Sequence, residues 1–164
     1  MRLLVQRVSR ARVTVDGLAG PEVVGEIGQG LLVLAGFGAA DTLALPGSRL
    51  WATLCAKLLD LRIFPDAAGK LNLSLKDTGG GLLLVSQFTL YADTRRGRRP
   101  SFTNAAAPDV AQALYSRLAA DLSAALLAAG SGPFAQGVFG ASMSLDFVNW
   151  GPVTILLDSA DFAA

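Results

Sequence analysis

Only two stretches of this chain carry an apolar residue every third or fourth position, and they lie far apart. Leu50, Leu54, Leu58 and Leu61 make the first, within Gly47–Leu61. Val110, Leu114, Leu118, Leu122 and Leu126 make the second, within Pro108–Ala129. Such spacing lays one apolar stripe along one face of a helix. Pro46 suits the approach to the first helix, and Gly130 suits the stop of the second. Everywhere else the apolar residues come in short runs cut by glycine, which is the mark of strands. Leu3, Val5 and Val8 nearly alternate with polar neighbours, as do Val13 and Val15. Val23–Ile27, Leu31–Phe37, Arg62–Phe64, Leu82–Phe88 and Phe134–Leu157 read the same way, the last broken by Gly151-Pro152. Asn72–Leu75 alternates like a strand, Pro65–Gly69 and Gly79–Gly81 read as turns, and Leu18–Pro21 as a longer hairpin loop. Two distant helices among many short strands predict an α+β fold: a mainly antiparallel, barrel-like sheet packed by two principal helices. A length of 164 residues suits one domain, 1–164.

The chain contains no histidine and a single cysteine, Cys55. Ser-His-Asp and Cys-His catalysis are therefore excluded, as are histidine-ligated metals, internal disulfides and cysteine-cluster zinc sites. The acidic residues are scattered without ligand spacing, so no metal and no cofactor is expected. An enzyme built from this sequence must rely on main-chain groups, hydroxyls, carboxylates, arginines or its substrate. The first ten residues are interrupted by arginines and lack the apolar core of a signal peptide. The apolar runs fall well short of the roughly 20 residues that span a bilayer. A cytoplasmic protein without a membrane association is expected.

Arginine outnumbers lysine eleven to three and is clustered. Arg2, Arg7, Arg10 and Arg12 lie near the start. Arg95, Arg96, Arg98 and Arg99 surround Gly97. In a chain of net charge +1, such clusters mark either a local anion site, suited to the planar guanidinium, or a solvated loop. Two further segments could carry chemistry. Ser86-Gln87-Phe88-Thr89-Leu90-Tyr91 ends an apolar strand with hydrogen-bonding and aromatic groups, or is a strand with one polar face. Asn149-Trp150-Gly151-Pro152-Val153-Thr154 can aim main-chain groups into a site, or is an ordinary turn.

These residues carry a resemblance. Leu4–Val8, Val15–Gly17, Val24–Gly28, Leu61–Phe64 and Leu71–Leu75 match the D-aminoacyl-tRNA deacylases, and the chain resembles that family over nearly its full length. Ser86–Leu90, Gly97-Arg98-Arg99-Pro100-Ser101-Phe102 and Gly151–Thr154 are the more specific matches, in order and at the family's separation. The resemblance implies a homodimeric α+β fold that hydrolyses the ester joining a D-amino acid to the 3′ end of tRNA, with glycyl-tRNA as a further substrate. It implies that Ser86, Gln87, Phe88 and Thr89 line the pocket for the terminal adenosine and the ester. It implies that Gly151 and Pro152 form a cis pair reaching into the partner subunit's site, where they reject L-amino acids. Arg7 matches an arginine that holds that loop, with Asn149 beside it. Three features depart from the family: Trp150 where an acidic residue is usual, the Leu18–Pro21 stretch, and the tail Ala160–Ala164.

The chemistry agrees with the absence of histidine. An aminoacyl ester is already activated, so water assisted by the substrate's 2′-hydroxyl can attack while amides near Phe88 and Thr89 stabilise the oxyanion. Thr89 as a covalent nucleophile is the rival, without an obvious base. Arg95, Arg96, Arg98 and Arg99 are expected to meet the acceptor stem, and Phe88 and Gln87 the adenine. Two other readings stand beside this one: an editing enzyme for a different mischarged tRNA, and a non-catalytic RNA-binding dimer.

Overall fold

The structure is a computed structural model and describes residues 1–17 and 20–162. Eight strands and three helices follow one another. They are β1 (Arg2–Gly17), β2 (Gly20–Ile27), β3 (Gly30–Gly36), α1 (Arg49–Asp60), β4 (Phe64–Pro65) and β5 (Leu71–Leu73), then α2 (Leu75–Thr78), β6 (Gly81–Ser86), α3 (Pro108–Ala128), β7 (Phe134–Gln136) and β8 (Met143–Asp158). The main sheet runs β2-β1-β3-β6-β7, with β8 on the other side of β1. The β1 pairings with β2, β3 and β8 are antiparallel. Those of β3 with β6 and of β6 with β7 are parallel. The sheet is thus mixed, though mainly antiparallel. Strand β2 also packs close to β7: a Cβ placed on Gly25 would sit 3.1 Å from the Gln136 carbonyl oxygen. That approach makes the sheet a nearly closed barrel.

Strands β3 and β6 read as unbroken apolar runs because both of their faces are covered, as parallel strands require. Leu31, Val33, Leu82 and Leu84 face a core shared with Leu54, Leu58, Leu118 and Leu122 of the two long helices. Leu32, Leu83 and Val85 face a second core inside the barrel, with Val8, Ala11 and Val13. Strand β1 serves both cores. Leu3 and Val5 enter the first, and Val8, Ala11 and Val13 the second. A bulge makes this possible: Val8 opposes Asn149 and Arg10 opposes Val148, which leaves Ser9 as the additional residue. One extra residue switches the face to which alternate side chains point. This is why β1 only nearly alternates in sequence.

The helices form close to where their periodicity places them. Ser48 caps α1 by accepting from the Trp51 amide at 3.1 Å, and α3 begins on Pro108. Three local readings need correction. Asn72–Leu75 is not one strand: β5 stops at Leu73, and Ser74 opens α2 through a reciprocal capping box with Asp77. Strand β6 ends at Ser86, and Phe88–Tyr91 turns as a short 3-10 helix. Only Phe64–Pro65 of the segment after α1 pairs as a strand, β4. Of the expected Leu18–Pro21 loop, Gly20 and Pro21 pair within the β1–β2 ladder. Leu18 and Ala19 lie outside the described residues, as do Ala163 and Ala164 of the tail.

Candidate functional site

Strand β6 delivers Ser86 to the end of the sheet, opposite Ala35. The Gln87 amide adds one more ladder bond, to the Ala35 carbonyl at 2.7 Å, and the chain then turns. The turn lies so close to β3 that only glycine fits beneath it. A Cβ on Gly36 would stand 2.7 Å from the Gln87 carbonyl oxygen. Ser86, Gln87 and Phe88 line a cleft of about 570 Å³, whose other walls come from Phe102, the first turn of α3 and the Phe139–Leu145 segment. The cleft is largely apolar, with polar groups gathered at the strand end, the pattern of a small-ligand site. Phe88 and Phe102 meet edge to face at its mouth, with centroids 4.9 Å apart, and both are exposed.

Thr89 stands beside this cleft rather than in its lining. Its hydroxyl accepts a hydrogen bond from the Gln87 side-chain amide, and no carboxylate or amine among the described residues takes its proton. The Phe88 and Thr89 amides open the 3-10 turn and have no acceptor among the described residues. They are left free, like the first donors of any helical turn. Cys55 offers no alternative nucleophile. It sits on α1 against the core, where burial, then the Asp121 charge, pushes its thiol up to about 11.

The Gly151-Pro152 pair lies elsewhere, in an excursion of β8. Gln6 opposes Thr154 and Val8 opposes Asn149, so residues 150–153 stand opposite Arg7 alone. The Gly151-Pro152 peptide bond is cis, and both residues are exposed. Gly151 has φ +128° and presses on Arg7: a Cβ there would lie 2.5 Å from Nη2. Arg7 is buried. Its Nε donates to the Trp150 carbonyl at 2.8 Å, and Nη1 donates to the Ile63 carbonyl. Its guanidinium lies 4.3 Å from the centre of the Trp150 ring. Burial pulls its pKa below the ordinary arginine value; the group stays charged. Asn149 closes the excursion, with Oδ1 accepting from the Val153 amide and Nδ2 donating to Thr154 Oγ1, both at 2.9 Å. The resemblance implies Arg7 beside this loop, and Asn149 adjoins it in sequence; the bonds from Arg7 to the Ile63 and Trp150 carbonyls become visible only in the fold.

The arginines of the 95–99 stretch sit on a loop closed at its neck, where Asp93 and Ser101 exchange backbone hydrogen bonds of 2.7 and 2.9 Å. Arg95 turns back onto Asp93 at 2.6 Å. The Arg95 side chain, then its amide, holds the Asp93 carboxyl well below the usual carboxylate range. Arg96, Arg98 and Arg99 are exposed and form no ion pair among the described residues. A larger cavity, about 730 Å³, lies near Arg2, Tyr91 and Asp158. Its charges are already used: Arg2 binds Asp158 at 2.7 Å and stacks on Tyr91 at 4.5 Å.

The fold therefore gathers Ser86, Gln87 and Phe88 with Phe102, and separately gathers Arg7, Asn149, Trp150 and Gly151. Neither Gly151 nor Pro152 lines the cleft of the same chain. Sequence reasoning missed Phe102 and Phe139 as cleft walls, although Phe102 ends the arginine-rich motif and stands out there as an unexplained aromatic.

A mixed sheet backed by two long helices, with a cleft at the strand ends and no histidine in the chain, defines a class of small α+β protein. The description of a particular family, D-Tyr-tRNA(Tyr) deacylase, matches residues 4–158, and the chain belongs to that family. It is 57% identical over 161 residues to the D-aminoacyl-tRNA deacylase of Nitratidesulfovibrio vulgaris (strain DP4), spanning 98% of this chain and 94% of that one. Identity to the protein of the same name from Solidesulfovibrio magneticus is 60% over 161 residues, spanning 98% and 97%. Among solved structures, the c-Myc DNA Unwinding Element Binding Protein superposes with a TM-score of 0.82 at 36% identity, covering 96% of this chain and 98% of that one. A probable eukaryotic D-amino acid tRNA deacylase shares the fold, with a TM-score of 0.80 at 22% identity over 95% and 97% of the chains.

Proposed function

We propose that this chain hydrolyses the ester of D-aminoacyl-tRNA, releasing tRNA and the D-amino acid, as a chiral proofreader of translation. Family membership makes it a deacylase, a hydrolase of the aminoacyl ester. The observation that carries the finer reading is the cleft beside Ser86–Thr89, which offers free amides and no nucleophile–base pair. Such a site suits an ester that is already activated. Water attacks the carbonyl with the help of the substrate's 2′-hydroxyl, and the Phe88 and Thr89 amides receive the oxyanion. Thr89 acts by position: with Gln87 donating to its oxygen and no base to take its proton, covalent attack lacks a driving group. No metal or cofactor is required.

Discrimination is steric. The Gly151-Pro152 excursion is a main-chain wall that excludes an L side chain and leaves room for a D one. Glycine has nothing to exclude, so glycyl-tRNA is a further substrate. In one chain the wall and the cleft are separate, so a homodimer completes each site with the partner's excursion. Two features favour that assembly: β8 pairs only with β1 among the described strands, and Val148 and Leu156 on it are exposed. Arg96, Arg98 and Arg99, with Arg95, meet acceptor-stem phosphates, and Phe88 and Gln87 meet the terminal adenine. The cytoplasm is the place for this activity; no helix among the described residues is long and apolar enough to cross a membrane.

Deacylation of matched D-Tyr-tRNA and L-Tyr-tRNA by the purified protein, with chelator present, tests the reading. Loss of the D ester alone is expected. Cleavage of neither, with tRNA still bound, would favour a non-catalytic RNA-binding dimer.

A further inference from the structure

Arg7 is a buried cation without a buried anion. Its residue exposure is 5%, and no carboxylate among the described residues lies within ion-pair distance of it. A charge withdrawn from water is costly unless something answers it. Two carbonyl oxygens do so in the guanidinium plane, those of Trp150 and Ile63. The third partner is the Trp150 indole, whose π face lies 4.3 Å from the guanidinium carbon. The carbonyl at position 150 is main chain, and any residue would supply it. The π face belongs to tryptophan. Phe64, fully buried, backs the indole at 6.4 Å and 54° and seats it against the helix-side core. Phe64, Trp150, Arg7 and Gly151 thus form one contact chain from the core to the exposed excursion.

We propose that the Trp150 side chain is a positioning residue for chiral discrimination: stacked on Arg7, the indole stands in for a counter-ion and fixes the guanidinium that holds the Gly151-Pro152 main chain in place. This inference rests on the excursion being the wall against L side chains. Without a π face or a carboxylate, the guanidinium seeks water and the excursion loses its fixed position. An L ester then gains access, while a D ester, which does not meet the wall, reacts as before.

The test compares kcat/KM for D-Tyr-tRNA and L-Tyr-tRNA in Trp150→Leu, Trp150→Phe, Trp150→Asp and Pro152→Ala. Trp150→Leu keeps apolar packing and removes the π face. It should lower the D-over-L ratio about thirtyfold, the size of a desolvated cation–π contact, chiefly by raising the L rate. Trp150→Phe should restore most of the ratio, and so should Trp150→Asp, which supplies the anion that the indole replaces. A packing role predicts the opposite order: Leu tolerated, Asp damaging. An unchanged ratio in Trp150→Leu beside a lowered one in Pro152→Ala overturns this inference alone. An unchanged ratio in both overturns the wall itself. If Trp150→Leu does not fold, the Phe and Asp variants decide: loss of the ratio in Asp with retention in Phe overturns the proposal, and retention in both supports it.

Discussion

Gly151-Pro152 in the excursion at 150–153 and the arginine loop at 95–99 are both exposed, yet the two segments are held in opposite ways. The excursion is tied from within. Arg7 bonds its first carbonyl, Asn149 bonds its last amide, and the Trp150 ring packs against the core beside Phe64. Among the described residues, the arginine loop is tied at its neck, by the Asp93–Ser101 pair and the Arg95–Asp93 contact. A surface that judges shape must keep its main chain within a fraction of an ångström, and buried donors provide that. A surface that meets phosphates needs charge rather than fixed geometry, because the electrostatic term is insensitive to sequence and tolerant of position. Buried donors hold the excursion proposed to read chirality, and exposed charge without ion-pair partners among the described residues lies on the loop proposed to meet RNA.

Substitutions can break each side of this contrast. Arg7→Met strands two carbonyls and should cost about 3 kcal/mol in urea denaturation, since bonds from a charged donor are worth roughly 1.5–3 each; a cost near zero would mean that the excursion does not depend on its clamp. Gly151→Ala drives a Cβ onto Arg7 Nη2 at a φ of +128° and should cost about 2 kcal/mol by the same assay. Asn149→Ala removes the Val153 tie and should cost about 1 kcal/mol. On the other loop, Arg98→Glu with Arg99→Glu should leave stability within about 0.5 kcal/mol. The pair should weaken tRNA binding and flatten its salt dependence, by about 0.7–0.9 per lost phosphate contact; an unaltered slope would assign these arginines to structure. The smallest effect concerns pH. Asp93 is depressed on folding by Arg95, so its contribution to the neck is present above the ordinary carboxylate range and is lost as pH falls through the folded value. Asp93→Asn should remove that acid-side slope from the stability profile, and superimposable profiles would show that the neck does not use the charge.

Much of this was legible in the chain. Regular leucine spacing located α1 and α3 within a few residues; Ser86, Gln87 and Phe88 fall on a cleft, and Gly151–Thr154 on the β8 excursion apart from it. The rest depends on contacts distant in sequence. Asn72–Leu75 alternates like a strand, but the Ser74–Asp77 capping box offers the backbone local bonds that a ladder would otherwise supply. The parity change in β1 comes from one bulged residue, Ser9, for which no local propensity speaks. Arg7 looked like one of four early arginines; Arg10 and Arg12 pair on the surface with Asp146 and Glu26. Arg7 alone turns inward, because the β8 excursion and the Ile63 carbonyl are brought to it by the fold.

The central claim is that a rigid excursion on one chain judges a substrate held in the cleft of another. Co-expression of two differently tagged chains tests it directly: one carries Gln87→Ala with Phe88→Ala to disable the cleft, the other carries Pro152→Ala to loosen the wall. A purified mixed dimer contains one cleft and one excursion that are both intact. If each site is shared across subunits, those two meet, and D-selective deacylation should return to about half the unmodified rate while neither parent shows it. Failure of the mixed dimer to exceed the Pro152→Ala parent in D-over-L selectivity would contradict the shared site and confine the wall to its own chain.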